Sequence, residues 1–169
     1  MKRRQIIIVL VLVAALLGTA GCSAPPPSPS NFNLIFKYGV GARNELNTFD
    51  GTYTKDMIMD PPITVNLSLS REELDRIYHK MIEINFFGYP DEFSVSIPPG
   101  QSVGMVTPYC SYYFRVEYNS KVKELWWEDN IINQDEKAEK LRELIKLIKD
   151  IIESKEEYKK LPSPSSGYL

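Results

Sequence analysis

Residues 110–127 read CSYYFRVEYNSKVKELWW, and this stretch decides the fold. Cys110, Tyr112, Phe114, Val116 and Tyr118 alternate with Ser111, Tyr113, Arg115 and Glu117, a period of two that makes a strand with one apolar face. Asn119 and Ser120 supply the turn, and Lys121 to Trp127 returns as the second strand of a β-hairpin. The phase of that return is ambiguous, because Val122 and Trp126 face one way while Leu125 and Trp127 face the other. A strand covered on both sides, or a bulge, is the expected reconciliation.

Beyond the hairpin the period changes. A helix is expected to start near Asn133, with Glu136 three residues later. Ala138, Leu141, Leu144, Ile145, Ile148, Ile151 and Ile152 then trace one face over about six turns. Upstream, Ile63, Val65, Leu67 and Leu69 alternate as a strand after Pro61 and Pro62 punctuate the chain. Ser70 and Glu73 write a capping box, and Leu69 with Leu74 a hydrophobic staple. The helix that follows carries Leu74, Ile77, Tyr78, Met81 and Ile82 as its apolar stripe. Gly88 and Pro90 stop it.

Phe32, Leu34, Phe36, Tyr38 and Val40 predict a first strand. Asp50 and Gly51 predict a tight two-residue turn between Leu46–Phe49 and Thr52–Lys55. Phe93, Val95 and Ile97 suggest a short edge strand before a long Pro/Gly loop over residues 98–108, a candidate binding surface. Residues 32–161 form one domain, large enough for its own core. An antiparallel sheet of about five or six strands packed against two amphipathic helices buries these faces most economically, an α+β fold.

The N-terminus is a targeting segment. Lys2, Arg3 and Arg4 precede an apolar run from Ile6 to Leu17 that is shorter than the roughly 20 residues needed to span a bilayer. Thr19, Ala20, Gly21 and Cys22 follow, and this tetrapeptide resembles the lipobox of bacterial lipoprotein signals, with Thr19 standing where that family usually has Leu. The resemblance covers the first 22 residues. It implies removal of residues 1–21, lipidation of Cys22 and a place on the outer face of the cell membrane. Ordinary secretion with cleavage near Gly21, or an uncleaved anchor, are the alternatives. Residues 22–31 are Pro- and Ser-rich and read as a tether in extended polyproline geometry. Residues 162–169 read as a flexible tail. The layout of lipobox, tether and one compact domain is similar to that of the small bacterial lipoproteins of unassigned function, which implies location and no substrate.

Of the 20 Lys and Arg, three leave with the signal, while all 22 Asp and Glu remain, a mature charge of about −5. That balance argues against nucleic acid as a partner. With Cys22 lipidated, Cys110 has no cysteine to pair with and is expected on the buried face of its strand.

The inventory for catalysis is thin. There is no glycine-rich phosphate loop, no paired His and Cys ligands and no nucleophile elbow, and no cofactor is implied. The single histidine, His79, lies on the solvated side of its helix with Asp75 one turn before it. Asp50, Thr52, Thr54, Asp56 and Asp60 offer alternating oxygens, but their spacing fails the EF-hand pattern and reads as a solvated turn. Glu128 and Asp129 after Trp126 and Trp127 invoke a glycosidase. Adjacent carboxylates on a strand point apart, however, and such enzymes need them facing across a cleft. Asn66, Leu67 and Ser68 spell a glycosylation acceptor that a bacterial lipobox makes irrelevant.

The expectation is therefore a membrane-anchored, non-enzymatic module that binds a protein or cell-wall component, through the Pro/Gly loop or an open sheet edge. A cell-surface hydrolase, its carboxylates gathered by the fold, is the alternative. An inhibitor of an external enzyme is a third class. An enzyme predicts convergent acids in a cleft with shifted pKa values, whereas a binding module predicts an exposed aromatic or apolar patch.

Overall fold

The hairpin read from residues 110–127 lies within a seven-stranded mixed sheet in the computed structural model, which describes residues 27–97, 99–100 and 102–168. Cys22 and the signal segment lie outside the described residues. The strands are β1 (Asn33–Tyr38), β2 (Asn44–Asn47), β3 (Thr52–Met57), β4 (Asp60–Asn66), β5 (Glu92–Phe93), β6 (Met105–Tyr118) and β7 (Lys121–Ile131), in the spatial order β4-β3-β2-β1-β6-β7-β5. All neighbours are antiparallel except β5 and β7. Helices α1 (Arg71–Glu83) and α2 (Glu136–Ser154) cover one face, and a single turn, α3 (Glu156–Lys159), follows α2. The fold is α+β. Seven strands stand where five or six were expected, and the short edge strand suggested by Phe93, Val95 and Ile97 is β5, confined to Glu92–Phe93.

The core forms where the apolar alternation of the sheet meets the two helical stripes. Leu34 and Phe36 of β1, Phe114 and Val116 of β6, and Leu125 and Trp127 of β7 pack in one cluster with Ile77 and Met81 of α1 and Leu141, Leu144 and Ile148 of α2. Each such aliphatic side chain contributes roughly 2 to 3 kcal/mol on full burial. Ile82, expected in the α1 stripe, is 53 % exposed, and Ile84 just past the helix is buried instead. Asn85 adopts a left-handed conformation there (φ 55°), which ends the helix and turns the chain back toward the sheet.

The ambiguous phase of β7 has a simpler answer than a bulge. β7 pairs in unbroken register with β6 from Cys110↔Asp129 to Tyr118↔Lys121. Leu125 and Trp127 point into the core, while Val122 and Trp126 lie on a face that no helix covers. Apolar residues on both sides of this strand mark two different environments.

Local chemistry explains the other departures. The first turn spans residues 48–51 rather than Asp50 and Gly51 alone, because the Asn47 side chain accepts from the N–H of Phe49 and of Asp50 and widens the loop. Pro61 and Pro62 lie inside β4 rather than ahead of it. β4 is an edge strand, where a missing N–H on the solvent side costs nothing. Helix α2 is capped by Asp135, whose carboxylate accepts from Ala138 N at 2.9 Å, while Asn133 two residues earlier orders the approach by accepting from Asp135 N. The capping box of α1 is present as expected, Ser70 Oγ accepting from Glu73 N and Glu73 from Ser70 N.

Both ends of the domain are held. Ser28 donates from its N–H and its hydroxyl to Asp75 Oδ1 (3.0 and 2.5 Å), and Arg71 donates to the carbonyls of Ser28 and Pro29. Thus the last tether residues lie along α1. At the other end Lys55 donates to the Pro162 carbonyl, Ser165 to Asp60, and the Tyr168 hydroxyl to Asp56.

Candidate functional site

A sheet covered on one face presents the other to solvent, and the register fixes what stands there. Tyr113 pairs with Trp126, which pairs with Glu92; Arg115 pairs with Glu124, Ser111 with Glu128, and Glu117 with Val122. On β1 and β2 the same face carries Ile35, Lys37, Glu45 and Asn47. Only Ser111 in this set is buried.

The strip across β6 and β7 is the chemically organised part of that face. The Tyr113 and Trp126 rings lie 6.5 Å apart between centroids, tilted by 48°. Glu124 is fixed by the Tyr113 hydroxyl at 3.1 Å and by Arg115 at 3.7 Å. Arg115 also sits over the ring of Phe49, 5.7 Å from its centre. Beside Trp126 a shallow groove of about 300 Å³ is lined by Glu92, Phe93, Ser94, Trp126, Glu128 and Asn130. Glu128 accepts from Tyr109 at 3.4 Å, and among the described residues Glu92 has no ion-pair or hydrogen-bond partner. The arrangement is an aromatic platform edged by oriented hydrogen-bonding groups.

A second exposed apolar patch lies at the far end of the β6–β7 ribbon. Met105, Val106, Ile132 and Ile97 are between 39 and 71 % exposed, and Ile132 N bonds to Gly104 O where the loop enters β6. The loop expected over residues 98–108 is therefore shorter, since residues 105–108 belong to β6. Seven of the nine exposed large hydrophobic side chains among the described residues fall into these two patches, counting Phe49, Val122 and Trp126 with the platform, so the exposure is clustered rather than scattered.

The residues singled out in the sequence are dispersed. Trp126 and Glu128 stand on the open face, while Trp127 and Asp129 point to the helices, where Arg142 grips Asp129 through two bonds of 2.6 and 2.8 Å and covers the Trp127 ring at 5.3 Å. Cys110 is half-buried rather than buried, in a shallow groove with Pro108, Tyr112 and Arg142. Burial and then the Cys110 neighbour push the Tyr112 phenol up. His79 is half-buried on α1 beside the Tyr78 ring, and Asp75 is turned to Ser28. Asp50 accepts from Asn47, while Thr54, Asp56 and Asp60 line one shallow groove and are engaged by Thr64, Tyr168 and Ser165. No group of three or more His, Cys, Asp or Glu able to hold a metal occurs among the described residues.

The carboxylates whose pKa values are shifted serve structural contacts. Burial raises the Glu73 carboxyl, but hydrogen bonds from Lys155 and the Ser70 N–H outweigh it and hold the pKa low. Glu136, Glu143 and Glu156 are lowered by the lysines that grip them, and Asp75 by Ser28. These shifts run opposite to the elevation that a general acid requires. The platform residues escaped sequence reasoning because Tyr113, Arg115 and Glu124 look like an ordinary polar face; the signal was the second apolar phase of β7.

Comparison of the chain with family models, with curated proteins and with solved structures finds no match.

Proposed function

We propose that this chain is a membrane-anchored extracytoplasmic lipoprotein whose domain acts as a non-enzymatic binding module for a protein or cell-wall component, docking it on the open face of the sheet. The observation that carries the reading is the uncovered Tyr113–Trp126 platform with its oriented rim, the exposed aromatic patch that distinguishes a binding surface from a catalytic cleft. The lipobox-like tetrapeptide ending at Cys22 supplies the anchoring half. Among the described residues no helix is long and apolar enough to cross a membrane.

The way the chain enters the domain supports the geometry. Asn31 accepts from Asn119 N at the β6–β7 turn, so the tether arrives at that end of the ribbon. With Ser28 docked on α1, about five residues separate Cys22 from the domain. The Met105–Ile132 patch lies the length of β6 away, roughly 40 Å at the rise of an extended strand.

The test compares wild type with Cys22→Ala by intact mass and fractionation, then follows sedimentation of the purified Cys22→Ala chain, which carries no lipid, with detergent-washed cell-envelope material. Wild type is expected in the membrane fraction, without residues 1–21 and with added lipid mass, while the variant is not. Identical behaviour of the two overturns the anchor. Envelope binding that survives Trp126→Ala together with Arg115→Ala overturns the open face as the docking surface.

A further inference from the structure

We propose that the Tyr113–Trp126 platform and its rim of Glu92, Glu128 and Asn130 bind a glycan chain of neutral pyranose units. This rests on the open face being the binding surface and names its ligand class.

Three features favour a sugar. A pyranose has an apolar face of C–H groups and a rim of hydroxyls, so it needs a flat apolar plate with acceptors at its edge. Trp126 is 38 % exposed at the middle of β7 and supplies the plate, and the Tyr113 ring, tilted by 48° to it, walls its β6 side. The groove beside Trp126 places two carboxylates and an amide next to the plate, matching hydroxyl donors with acceptors. Finally, the acceptors are already oriented: Glu128 by Tyr109, and Glu124 by Tyr113 and Arg115. An acceptor held in place loses little entropy when a ligand hydroxyl arrives.

Charge decides against the other candidates. A polyanion would meet Glu92, Glu117, Glu124 and Glu128 on this strip. A polycation would find Glu124 engaged and would meet the Arg115 guanidinium over the Phe49 ring on the same strip. A neutral, hydroxyl-rich chain meets neither repulsion. Its units would follow the strip from the groove at Glu128 across Trp126 toward Arg115, the direction in which the rim groups continue.

The full-length chain in detergent is titrated with the tetramers of glucose and of N-acetylglucosamine by calorimetry, and tryptophan emission is read in parallel. Trp127 is buried, so Trp126 reports. Saturable binding of at least one tetramer is expected. Trp126→Ala should raise Kd about tenfold, Trp126→Phe should retain most of the affinity, and Ile82→Ala on the helical side should leave it unchanged within about twofold. Trp126→Ala should melt as wild type does, since its side chain lies on the surface. Absence of binding to both tetramers at tens of millimolar, or binding indifferent to Trp126→Ala, overturns the glycan assignment. If oligolysine binds in a Trp126-dependent way and the tetramers do not, the ligand is a basic peptide: the glycan assignment falls while the open-face reading stands. Envelope binding that ignores both open-face substitutions removes that reading as well.

Discussion

Replacing Tyr53 with Phe deletes one oxygen from the interior and leaves the packing otherwise intact. The Tyr53 hydroxyl lies 2.7 Å from that of Tyr38, with Asn44 Oδ1 a longer second contact at 3.4 Å, and the two residues are 1 and 7 % exposed. In Tyr53→Phe the Tyr38 hydroxyl stays buried without its partner, a loss of about 1–3 kcal/mol. Tyr38→Phe leaves Tyr53 the Asn44 contact, so it should cost less, about 1 kcal/mol. The double variant removes both polar atoms and should be no less stable than Tyr53→Phe, giving a coupling of at least about 1 kcal/mol in a double-mutant cycle by urea unfolding. Alkaline pH adds an independent handle. Burial raises both phenol pKa values above the ordinary 10.0, so the folded chain holds protons that the unfolded chain releases. Their contribution is full below pH 10 and is lost as pH rises from there toward the folded values. The double variant should therefore show a shallower alkaline decline than wild type. Strictly additive single costs, together with an unchanged alkaline limb, would refute the account of a shared buried hydroxyl pair.

Two further perturbations test how the helices are set on the sheet. Ser70→Ala removes one half of the capping box and should destabilise by about 1 kcal/mol in chemical denaturation, whereas Ser70→Asp should restore most of it. Arg142→Lys keeps the charge but not the two-point grip on Asp129 or the planar cover over Trp127. A loss of about 1–2 kcal/mol by thermal melting is expected, and a variant indistinguishable from wild type would mean that this half-exposed pair contributes nothing measurable.

What the sequence made legible follows from where the physics is local. The alternation of β1 and β6 and the Ser70–Glu73 cap are each written within a few residues, and the structure carries them. The turn at Asn119 and Ser120 is equally local, and both residues adopt positive φ there. Three other features depend on tertiary position. Pro61 and Pro62 fit a strand only because β4 is an edge, β5 exists only because β7 offers it two residues of pairing, and Cys110 is left half-exposed in a groove beside Arg142 of α2. The candidate site was half legible. Tryptophans 126 and 127 and their following carboxylates drew attention as a group, and the alternation of the strand then divides them, one Trp and one acid to each face.

If the chain is anchored as proposed, the two prolines of β4 have a consequence. Tethered copies share a thin layer, in which lateral encounters are far more frequent than in free solution. A bare sheet with an unguarded rim would polymerise there, strand to strand. This one ends in Pro61 and Pro62 on one side and in the two-residue β5 on the other, so neighbouring copies find little backbone to zip onto. Dense display of the open face and resistance to lateral aggregation thus become compatible.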